Sequence, residues 1–454
     1  MEHNLKIGDQ IFVDIKRLGI NGEGVAFYKR LSVFVPDALP KENVLVEITK
    51  VYNKYAEAKI IEQKTEAPFR VKPTCPYYTK CGACNLSHVL YQESGKIKRD
   101  MLMEALERYS GLNPRSFEIK DTVLSENPNN YRFKATLPLR QGEHGVVWGL
   151  YHPNSEKFIR IKDCQVHHPL INEIANQVCN VLTNENISAY DLKNKKGFVK
   201  YLIIRLSHYN LEASVSLILN ELPKNIDDLG KKINDIENVS SVYYSINQEE
   251  DTQDFFGKEI IKIAGNDFIT ESIVSNKFEL RPSSFFQINV LQAESLFETV
   301  KKLAKLSKKE NIIDAYCGVG VIGIHLAKNA NNVYGIENNK EAIISAKKNA
   351  KINEINNIKF IDGDVEKTIS YLLKDKNQID MIVLDPPRVG LTDQIKKIIL
   401  NSNVKKIIYV SCNPSTLAKD LGVLKQKYNV SQMIPFDMFP QTSHVEAVCS
   451  LVKR

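Results

Sequence analysis

The chain has 454 residues, a formal net charge of +7, 43% hydrophobic residues and 25% charged residues. This composition is typical of globular proteins and excludes a disordered or fibrous chain, and the length predicts about three domains. Because no run of about 18 apolar residues and no apolar N-terminal segment occurs, we expect no transmembrane helix and no secretory signal, and we place the protein in the cytoplasm.

Residues 8–62 alternate short apolar segments with turns that contain glycine and proline. The predicted strands are 10–16, 24–28, 32–35, 43–51 and 56–62. Five short strands in so little chain predict a small closed barrel of the oligonucleotide/oligosaccharide-binding (OB) type. Such barrels often bind RNA or DNA, although a neutral barrel can equally be a packing module.

Three of the eight cysteines, Cys75, Cys81 and Cys84, lie within ten residues, and Cys164 follows further along the chain. In a protein that we place in the cytoplasm, a cysteine cluster indicates metal binding or catalysis rather than disulfides. Structural zinc sites typically pair two C-x-x-C motifs, whereas this chain has one. Three close thiolates and a distant one are typical of iron–sulfur ligation, with zinc and free thiols as the alternatives.

Apolar spacing predicts a helix from Leu86 to about Tyr109. The following region, to residue 275, predicts an α+β fold with antiparallel strands at 131–139, 201–207 and 211–219. From residue 290 strands and helices alternate, which predicts a doubly wound parallel sheet. The predicted strands there are 311–315, 333–336, 358–361, 381–384 and 406–410, with helices at 321–328 and 340–352.

Acidic residues end several strands of this predicted sheet. Asp314 begins the sequence D-A-Y-C-G-V-G, and Glu337, Asp364 and Asp385 follow the next strands. The pattern D-x-x-x-G-x-G differs from the dinucleotide fingerprint G-x-G-x-x-G. The region instead resembles S-adenosylmethionine-dependent methyltransferases, in which such a carboxylate accepts hydrogen bonds from ribose hydroxyls.

Two further residues could carry out chemistry. Cys412, in the sequence S-C-N-P after the fifth strand, lies at the carboxyl edge of the sheet, where ligands of such folds bind. Its thiolate would be a nucleophile. Glu446 stands among apolar residues near the C-terminus, and burial raises the pKa of a carboxylate towards that of a useful base. His444 is a weaker candidate.

These motifs together resemble the RNA uracil-5-methyltransferase family. The resemblance rests on S-F-F-Q at 284–287, D-A-Y-C-G-V-G at 314–320, D-P-P-R at 385–388, S-C-N-P at 411–414 and H-V-E at 444–446. The N-terminal barrel is similar to the TRAM domain of the branch that modifies 23S ribosomal RNA. An aromatic residue after D-P-P would instead suggest methylation of an exocyclic base nitrogen, but Arg388 stands there.

The resemblance implies specific roles. Cys412 would attack carbon 6 of uracil, Glu446 would remove the proton from carbon 5, and Phe285 would stack on the extruded base. Four residues would line the S-adenosylmethionine site: Gln287, Tyr316, Glu337 and Asp385. Four cysteines would hold a 4Fe-4S cluster: Cys75, Cys81, Cys84 and Cys164.

We therefore expect a multidomain α/β enzyme. It would have a TRAM-like barrel over 1–63, a central α+β domain with the iron–sulfur loop over 64–275, and a Rossmann-like methyltransferase domain over 276–454. The expected partner is structured RNA, above all 23S ribosomal RNA, and we expect a monomer with no membrane and no obligate protein partner. A transfer-RNA T-loop uridine is the alternative substrate, and a non-catalytic RNA-binding or ribosome-assembly factor is the alternative class.

Overall fold

The computed structural model describes residues 4–153, 155–249, 254–374 and 378–454. Contacts divide the chain into two compact units. The first contains the chain up to Ser125, Pro386–Lys396 and Tyr409–Arg454, and the second contains Glu126–Asp385 and Lys397–Ile408. This division groups the barrel, the cysteine loop (residues 75–84) and the C-terminal segment together, while the three-domain division at 63 and 275 stays a prediction.

The first unit begins with the predicted barrel. Its strands are β1 (Gln10–Asp14), β2 (Arg17–Leu18), β3 (Gly24–Tyr28), β4 (Leu31–Val35), β5 (Asn43–Val51) and β6 (Tyr55–Thr65). They are ordered β1-β5-β6-β4-β3-β2, and β4 and β6 run parallel. Alternate side chains such as Val33, Val46 and Ile48 fill the interior, as expected for a half-buried strand pattern. The sequence analysis missed only the two-residue strand β2.

The cysteine loop contains the short helix α1 (Tyr78–Cys81), and α2 (Tyr91–Tyr109) follows it. The predicted start of α2 at Leu86 was wrong by five residues. The amide of Leu86 donates to the carbonyl of Gln441 at 2.9 Å, and Val89 pairs with Arg70, so this stretch forms loop contacts that a helix would exclude. A short 3-10 turn (Pro114–Ser116) and β7 (Glu118–Ile119) complete this part.

The second unit begins with a sheet ordered β10-β9-β8-β11-β12-β13-β14. Its elements are β8 (Lys134–Gly142), β9 (Gly145–Tyr151), β10 (Phe158–Arg160), α3 (Pro169–Asn184), β11 (Val199–Leu206), β12 (Ala213–Leu219), α4 (Ile226–Asn234), β13 (Val239–Ile246) and β14 (Ile261–Gly265). Its pairings are antiparallel except between β12 and β13. The predicted α+β character is confirmed, although β8 begins three residues later than expected.

A hairpin of β15 (Ile269–Ile273) and β16 (Asn276–Leu280) leads into the parallel sheet of this unit. The following elements are α5 (Val290–Ala304), β17 (Asn311–Ala315), α6 (Val321–Ala327), β18 (Asn332–Glu337), α7 (Lys340–Ile352), β19 (Ile358–Asp362), α8 (Val365–Lys374) and β20 (Met381–Leu384). The next helix, α9 (Asp393–Leu400), begins in the first unit and ends in the second. The strands are parallel in the order β19-β18-β17-β20, which confirms the predicted strand–helix alternation.

The chain returns to the first unit within β21 (Lys406–Ser411). There α10 (Pro414–Leu424), β22 (Tyr428–Phe436) and β23 (Glu446–Lys453) follow. The strand β22 pairs with β23 in antiparallel fashion and with β7 in parallel, so residues more than 300 positions apart share this part of a sheet.

Candidate active site

The turn from β17 into α6 is built from residues with left-handed backbone. Tyr316 has φ 63°, Gly318 has φ 54° and Gly320 has φ 88°. A Cβ at Gly320 would lie 2.7 Å from the ring of Phe360, whereas one at Gly318 would meet no atom within 4 Å. The backbone at Gly318 therefore faces open space, as a turn must if a ligand is to approach it closely.

The carboxylate of Glu337, at the end of β18, is fixed by three backbone amides. Gly318 donates to Oε2 at 3.2 Å, while Asn338 and Asn339 donate to Oε1 at 2.9 and 3.0 Å. Glu337 and Gly318 line one cleft in this unit. The other lining residues are Arg281, Ser283, Ser284, Phe285, Asn339, Glu341, Ala342 and Ser345. Glu337 thus presents a half-buried, preorganised acceptor to this cleft.

Two further carboxyl groups lie at neighbouring strand ends. Asp314 is buried and accepts a hydrogen bond from the amide of Gly323 at 2.8 Å, which ties β17 to α6. Burial, together with the charges of Asp385 and Glu337, raises the pKa of Asp314 to about 7, although the hydrogen bond from Gly323 opposes this shift. Burial likewise raises the pKa of Asp385 to about 7. The charges of Asp385 and Glu337 therefore both act on the carboxyl group of Asp314.

The prediction that Asp364 ends the third strand was wrong. The strand β19 ends at Asp362, and Asp364 precedes α8. Its Oδ1 accepts a hydrogen bond from the amide of Lys367 at 2.9 Å, which is the interaction of a helix N-cap. Asp364 therefore provides a hydrogen-bond acceptor for an amide in the first turn of α8.

The segment from 281 to 289, between β16 and α5, carries Phe285 and Gln287. The side chain of Phe285 is 70% exposed and lines the cleft, whereas its neighbour Phe286 is buried. The guanidinium of Arg205 donates to the carbonyl of Ser284, which anchors the segment to strand β11. Of the residues predicted to bind the cofactor or to stack on the uracil, Glu337 and Phe285 line this cleft together.

The remaining predicted cofactor residues are not among those that line the cleft in the described part of the chain: Gln287, Tyr316 and Asp385. All three are half-buried. Tyr316 adjoins the Gly318 turn, and Asp385 is within electrostatic range of Asp314. Their roles stay predictions.

Cys412 lies in the first unit, in the turn between β21 and α10, and is half-buried. The next residue, Asn413, caps α10 by accepting a hydrogen bond from the amide of Ser415 at 3.0 Å. The side chain of Asn413 also donates to the carbonyl of Arg388 at 3.1 Å. Because a helix N-terminus favours negative charge, this position suits a cysteine that must react as a thiolate.

Glu446 is the first residue of β23 and is buried, with Phe436 as its partner in β22. Two residues before it, the imidazole Nδ1 of the exposed His444 lies 3.4 Å from the guanidinium of Arg388. Partial desolvation of its ring lowers the pKa of His444, and the charges of Arg388 and Lys98 act in the same direction. Arg388 therefore contacts both the turn after Cys412 and the segment before Glu446. The sequence analysis assigned it no such contacts, although its place after D-P-P singled it out.

The cysteine loop lies in the first unit, and Cys164 lies in the second. No disulfide joins any of the cysteines in the described part of the chain, and Cys81 is buried. Burial and the proximity of Cys75 raise the pKa of Cys81, while the amide of Ala83 donates to its sulfur and opposes this shift. Across the described residues, no group of three or more His, Cys, Asp or Glu side chains is assembled to hold a metal ion.

No described helix combines the length and the apolar character that a membrane crossing requires.

Comparisons with known proteins cover nearly the whole chain. A model of the family described as tRNA (Uracil-5-)-methyltransferase matches residues 91–454, and a model of the TRAM domain matches residues 5–61. A Bacillus cereus protein named as an uncharacterized RNA methyltransferase is 40% identical over 100% of this chain and 99% of its own length. A Listeria innocua protein with the same description is 36% identical over 98% of both chains.

A solved structure is also similar. The Pyrococcus abyssi tRNA (uracil-54, C5)-methyltransferase in complex with S-adenosyl-L-homocysteine has a TM-score of 0.77 and is 28% identical, covering 97% of this chain and 100% of its own. The family match, the relatives and this structure agree with the motifs described above. The chain therefore belongs to the tRNA (uracil-5-)-methyltransferase family and carries an N-terminal TRAM domain.

Proposed function

We propose that this protein methylates carbon 5 of a uridine in RNA with S-adenosylmethionine as methyl donor. The observation that carries the proposal is the placement of a half-buried thiol, Cys412, before the N-terminus of α10, in the same unit as the buried carboxyl group of Glu446. The cofactor fits the other unit, where Glu337 is held by three amides beside the open backbone of Gly318.

The reaction needs both residues. Carbon 5 of uracil is a weak nucleophile, so the Cys412 thiolate first adds to carbon 6 and shifts electron density to carbon 5. Carbon 5 then takes the activated methyl group that S-adenosylmethionine supplies when bound, and S-adenosylhomocysteine is released. The carboxylate of Glu446 removes the proton from carbon 5, the bond between sulfur and carbon 6 breaks, and 5-methyluridine and the free thiolate result.

The remaining residues would bind and orient. Gln287, Tyr316, Glu337 and Asp385 would hold the cofactor. The exposed ring of Phe285 would stack on the uracil, because an enzyme that modifies a base must remove it from its stack. The basic surplus of residues 276–454, with 26 Lys and Arg against 18 Asp and Glu, suits a polyanionic substrate.

We propose 23S ribosomal RNA as the substrate, because the resemblance to that branch of the family includes both the barrel and the cysteine motif. A transfer-RNA T-loop uridine is the second candidate. The Pyrococcus abyssi enzyme, named for uracil 54 of tRNA, covers 97% of this chain, so a TRAM barrel does not by itself exclude a tRNA substrate. Mass-spectrometric mapping of 5-methyluridine in both RNAs from a deletion strain would decide between them.

We further propose that Cys75, Cys81, Cys84 and Cys164 hold a 4Fe-4S cluster. The chemistry of the donor set supports this, because four cysteine sulfurs outside any disulfide are the usual ligands of such a cluster, and an amide that donates to the sulfur of Cys81 suits a thiolate ligand. Anaerobically purified protein should contain iron and acid-labile sulfide. Colourless protein that contains zinc, or neither metal, would contradict the cluster.

The catalytic role of Cys412 is tested with Cys412→Ala. The variant should still bind S-adenosylhomocysteine and RNA, but methyl transfer and any covalent RNA adduct should vanish. Cys179→Ala, which changes a buried cysteine of α3, is the matched control and should methylate like the wild type. Equal methylation by Cys412→Ala and the wild type would contradict the mechanism, and absence of methylation in both would favour a non-catalytic RNA-binding factor.

A further inference from the structure

The segment that leads into Glu446 contains a strained turn. Gln441 has φ 67°, a left-handed conformation that costs a residue with a side chain free energy. Such a conformation persists only where neighbouring groups hold it. Here the carbonyl of Gln441 accepts a hydrogen bond from the amide of Leu86 at 2.9 Å.

Asn85 holds the next part of the same turn. Its Oδ1 accepts a hydrogen bond from the amide of Ser443 at 2.9 Å, and its Nδ2 donates to the hydroxyl of Ser443 at 3.2 Å. The side chain of Asn85 therefore forms hydrogen bonds with both the amide and the hydroxyl of Ser443, a residue 358 positions away. Ser443 is buried and stands three positions before Glu446.

Apolar packing supports the same contact. Leu86 and Val445 belong to one hydrophobic cluster in this unit, together with Leu18, Val89 and Met101. Asn85 thus contacts the turn through its side chain. Leu86 contacts it through its backbone amide and shares an apolar cluster with Val445. These contacts lie on the residues directly before the buried carboxyl group of Glu446.

Asn85 also joins this turn to two other parts of the unit. Its Nδ2 donates to the carbonyl of Asn21 in the barrel, and Asn85 itself directly follows Cys84. The neighbouring Gly22 has φ 87°, and a Cβ there would lie 2.9 Å from Nδ2 of Asn85 and 3.3 Å from Cβ of Ser443. The backbone of Gly22 therefore packs against Asn85 and Ser443 so closely that a side chain at this position would be crowded.

We propose that Asn85 is a positioning residue for the base Glu446, and that through it the barrel and the cysteine loop determine where that carboxylate lies. The inference rests on the proposed function, because Glu446 removes a proton only in that reaction. Glu446 acts after Cys412 has added to the ring and the methyl group has been transferred. A misplaced Glu446 should therefore stall the reaction at the methylated covalent adduct, before the thiol leaves.

The test compares full-length Asn85→Ala with the wild type on the RNA that the wild type methylates. Since a displacement of about 1 Å in an active site can cost roughly 100-fold in rate, we expect kcat to fall about 10- to 100-fold. A methylated protein–RNA adduct should accumulate on denaturing gels, while affinity for S-adenosylhomocysteine should not change. Asn53→Ala, which changes an exposed barrel residue, is the control and should behave like the wild type.

Asn85→Asp keeps the oxygen that accepts the Ser443 amide, so it should restore part of the turnover and reduce the adduct. Wild-type turnover in Asn85→Ala, or slow turnover without adduct in both variants, would overturn the inference. Methylation by Cys412→Ala would instead overturn the proposed function, so the two failures are distinguishable.

Discussion

Lys98 and Asp437 form an ion pair in which neither side chain is exposed to solvent. The ammonium group also donates to the carbonyl of Phe439 at 3.1 Å, and the hydroxyl of Tyr91 donates to the second oxygen of Asp437 at 2.8 Å. The ring of Phe439 in turn contacts His444, with the ring centres 5.8 Å apart. Through Lys98 and Tyr91, the helix α2 therefore fixes the segment between β22 and Glu446.

Breaking this pair should destabilise the first unit. In Lys98→Met the carboxylate of Asp437 stays buried without its cation, and removing one partner of a buried ion pair typically costs about 3–5 kcal/mol. Chemical denaturation should show this loss in the free energy of unfolding. The double variant Lys98→Met/Asp437→Asn removes both charges and should recover part of it.

Lys96→Met is the control for that experiment. Lys96 lies on the same helix and pairs with Glu93, but its side chain is 73% exposed. Exposed pairs contribute roughly 0–1 kcal/mol, so this variant should unfold almost like the wild type. Equal losses in Lys96→Met and Lys98→Met would show that burial of the pair is unimportant.

Glu337→Ala should weaken cofactor binding without unfolding the protein. The carboxylate is positioned by three backbone amides, and a hydrogen bond to a charged group contributes about 1.5–3 kcal/mol, or roughly a 10- to 150-fold change in Kd. Calorimetric titration with S-adenosylhomocysteine measures the change. Glu143→Gln, at an exposed hairpin turn, should bind normally, and an unchanged Kd in Glu337→Ala would remove this residue from the cofactor site.

The raised pKa of Asp314 predicts a pH-dependent stability. In the folded chain the carboxyl group of Asp314 keeps its proton up to about pH 7, whereas in the unfolded chain it releases the proton near pH 3.8. The folded state therefore binds more protons between these values, and the free energy of unfolding should fall as pH rises through this window, by up to about 1.4 kcal/mol per pH unit.

Asp314→Asn removes this titration but keeps an oxygen that can accept the Gly323 amide. The advantage of the variant over the wild type in unfolding free energy should grow up to about pH 7 and then stay constant. Chemical denaturation between about pH 5 and pH 8 measures it. Asp362→Asn, at the exposed end of β19, is the control, and parallel pH curves for Asp314→Asn and the wild type would contradict the prediction.

Phe285 and Phe286 should respond in opposite ways. Stacking of a base on an aromatic ring contributes about 1–3 kcal/mol, so Phe285→Ala should lower kcat/KM roughly 5- to 150-fold without a loss of stability. Phe286 is buried and lies 5.8 Å from the ring of Phe278, so Phe286→Ala should cost roughly 3–5 kcal/mol of stability. Normal kcat/KM in Phe285→Ala would exclude its stacking role.

The sequence predicted local structure well. The bounds of β3, β5, β17, β20 and α7 agree with the structure. These elements are encoded by apolar periodicity and by glycine turns, which act over a few residues. The same local signals placed Glu337 at a strand end and Cys412 in the turn after a strand. The predicted helix start at Leu86 was wrong, because the amide of Leu86 binds the distant carbonyl of Gln441. The predicted place of Asp364 at a strand end was wrong, because Asp364 caps the following helix.

The pattern of residues thus determined the order of strands and helices, the family and the chemical character of the candidate nucleophile and base. Only the tertiary structure decided which distant groups meet. Asn85 reaches Ser443, Lys98 reaches Asp437, and Arg388 contacts the segments next to Cys412 and Glu446, although none of these contacts leaves a periodic signal. Such contacts arise because buried polar groups must find partners wherever packing brings them together, and packing depends on the whole chain.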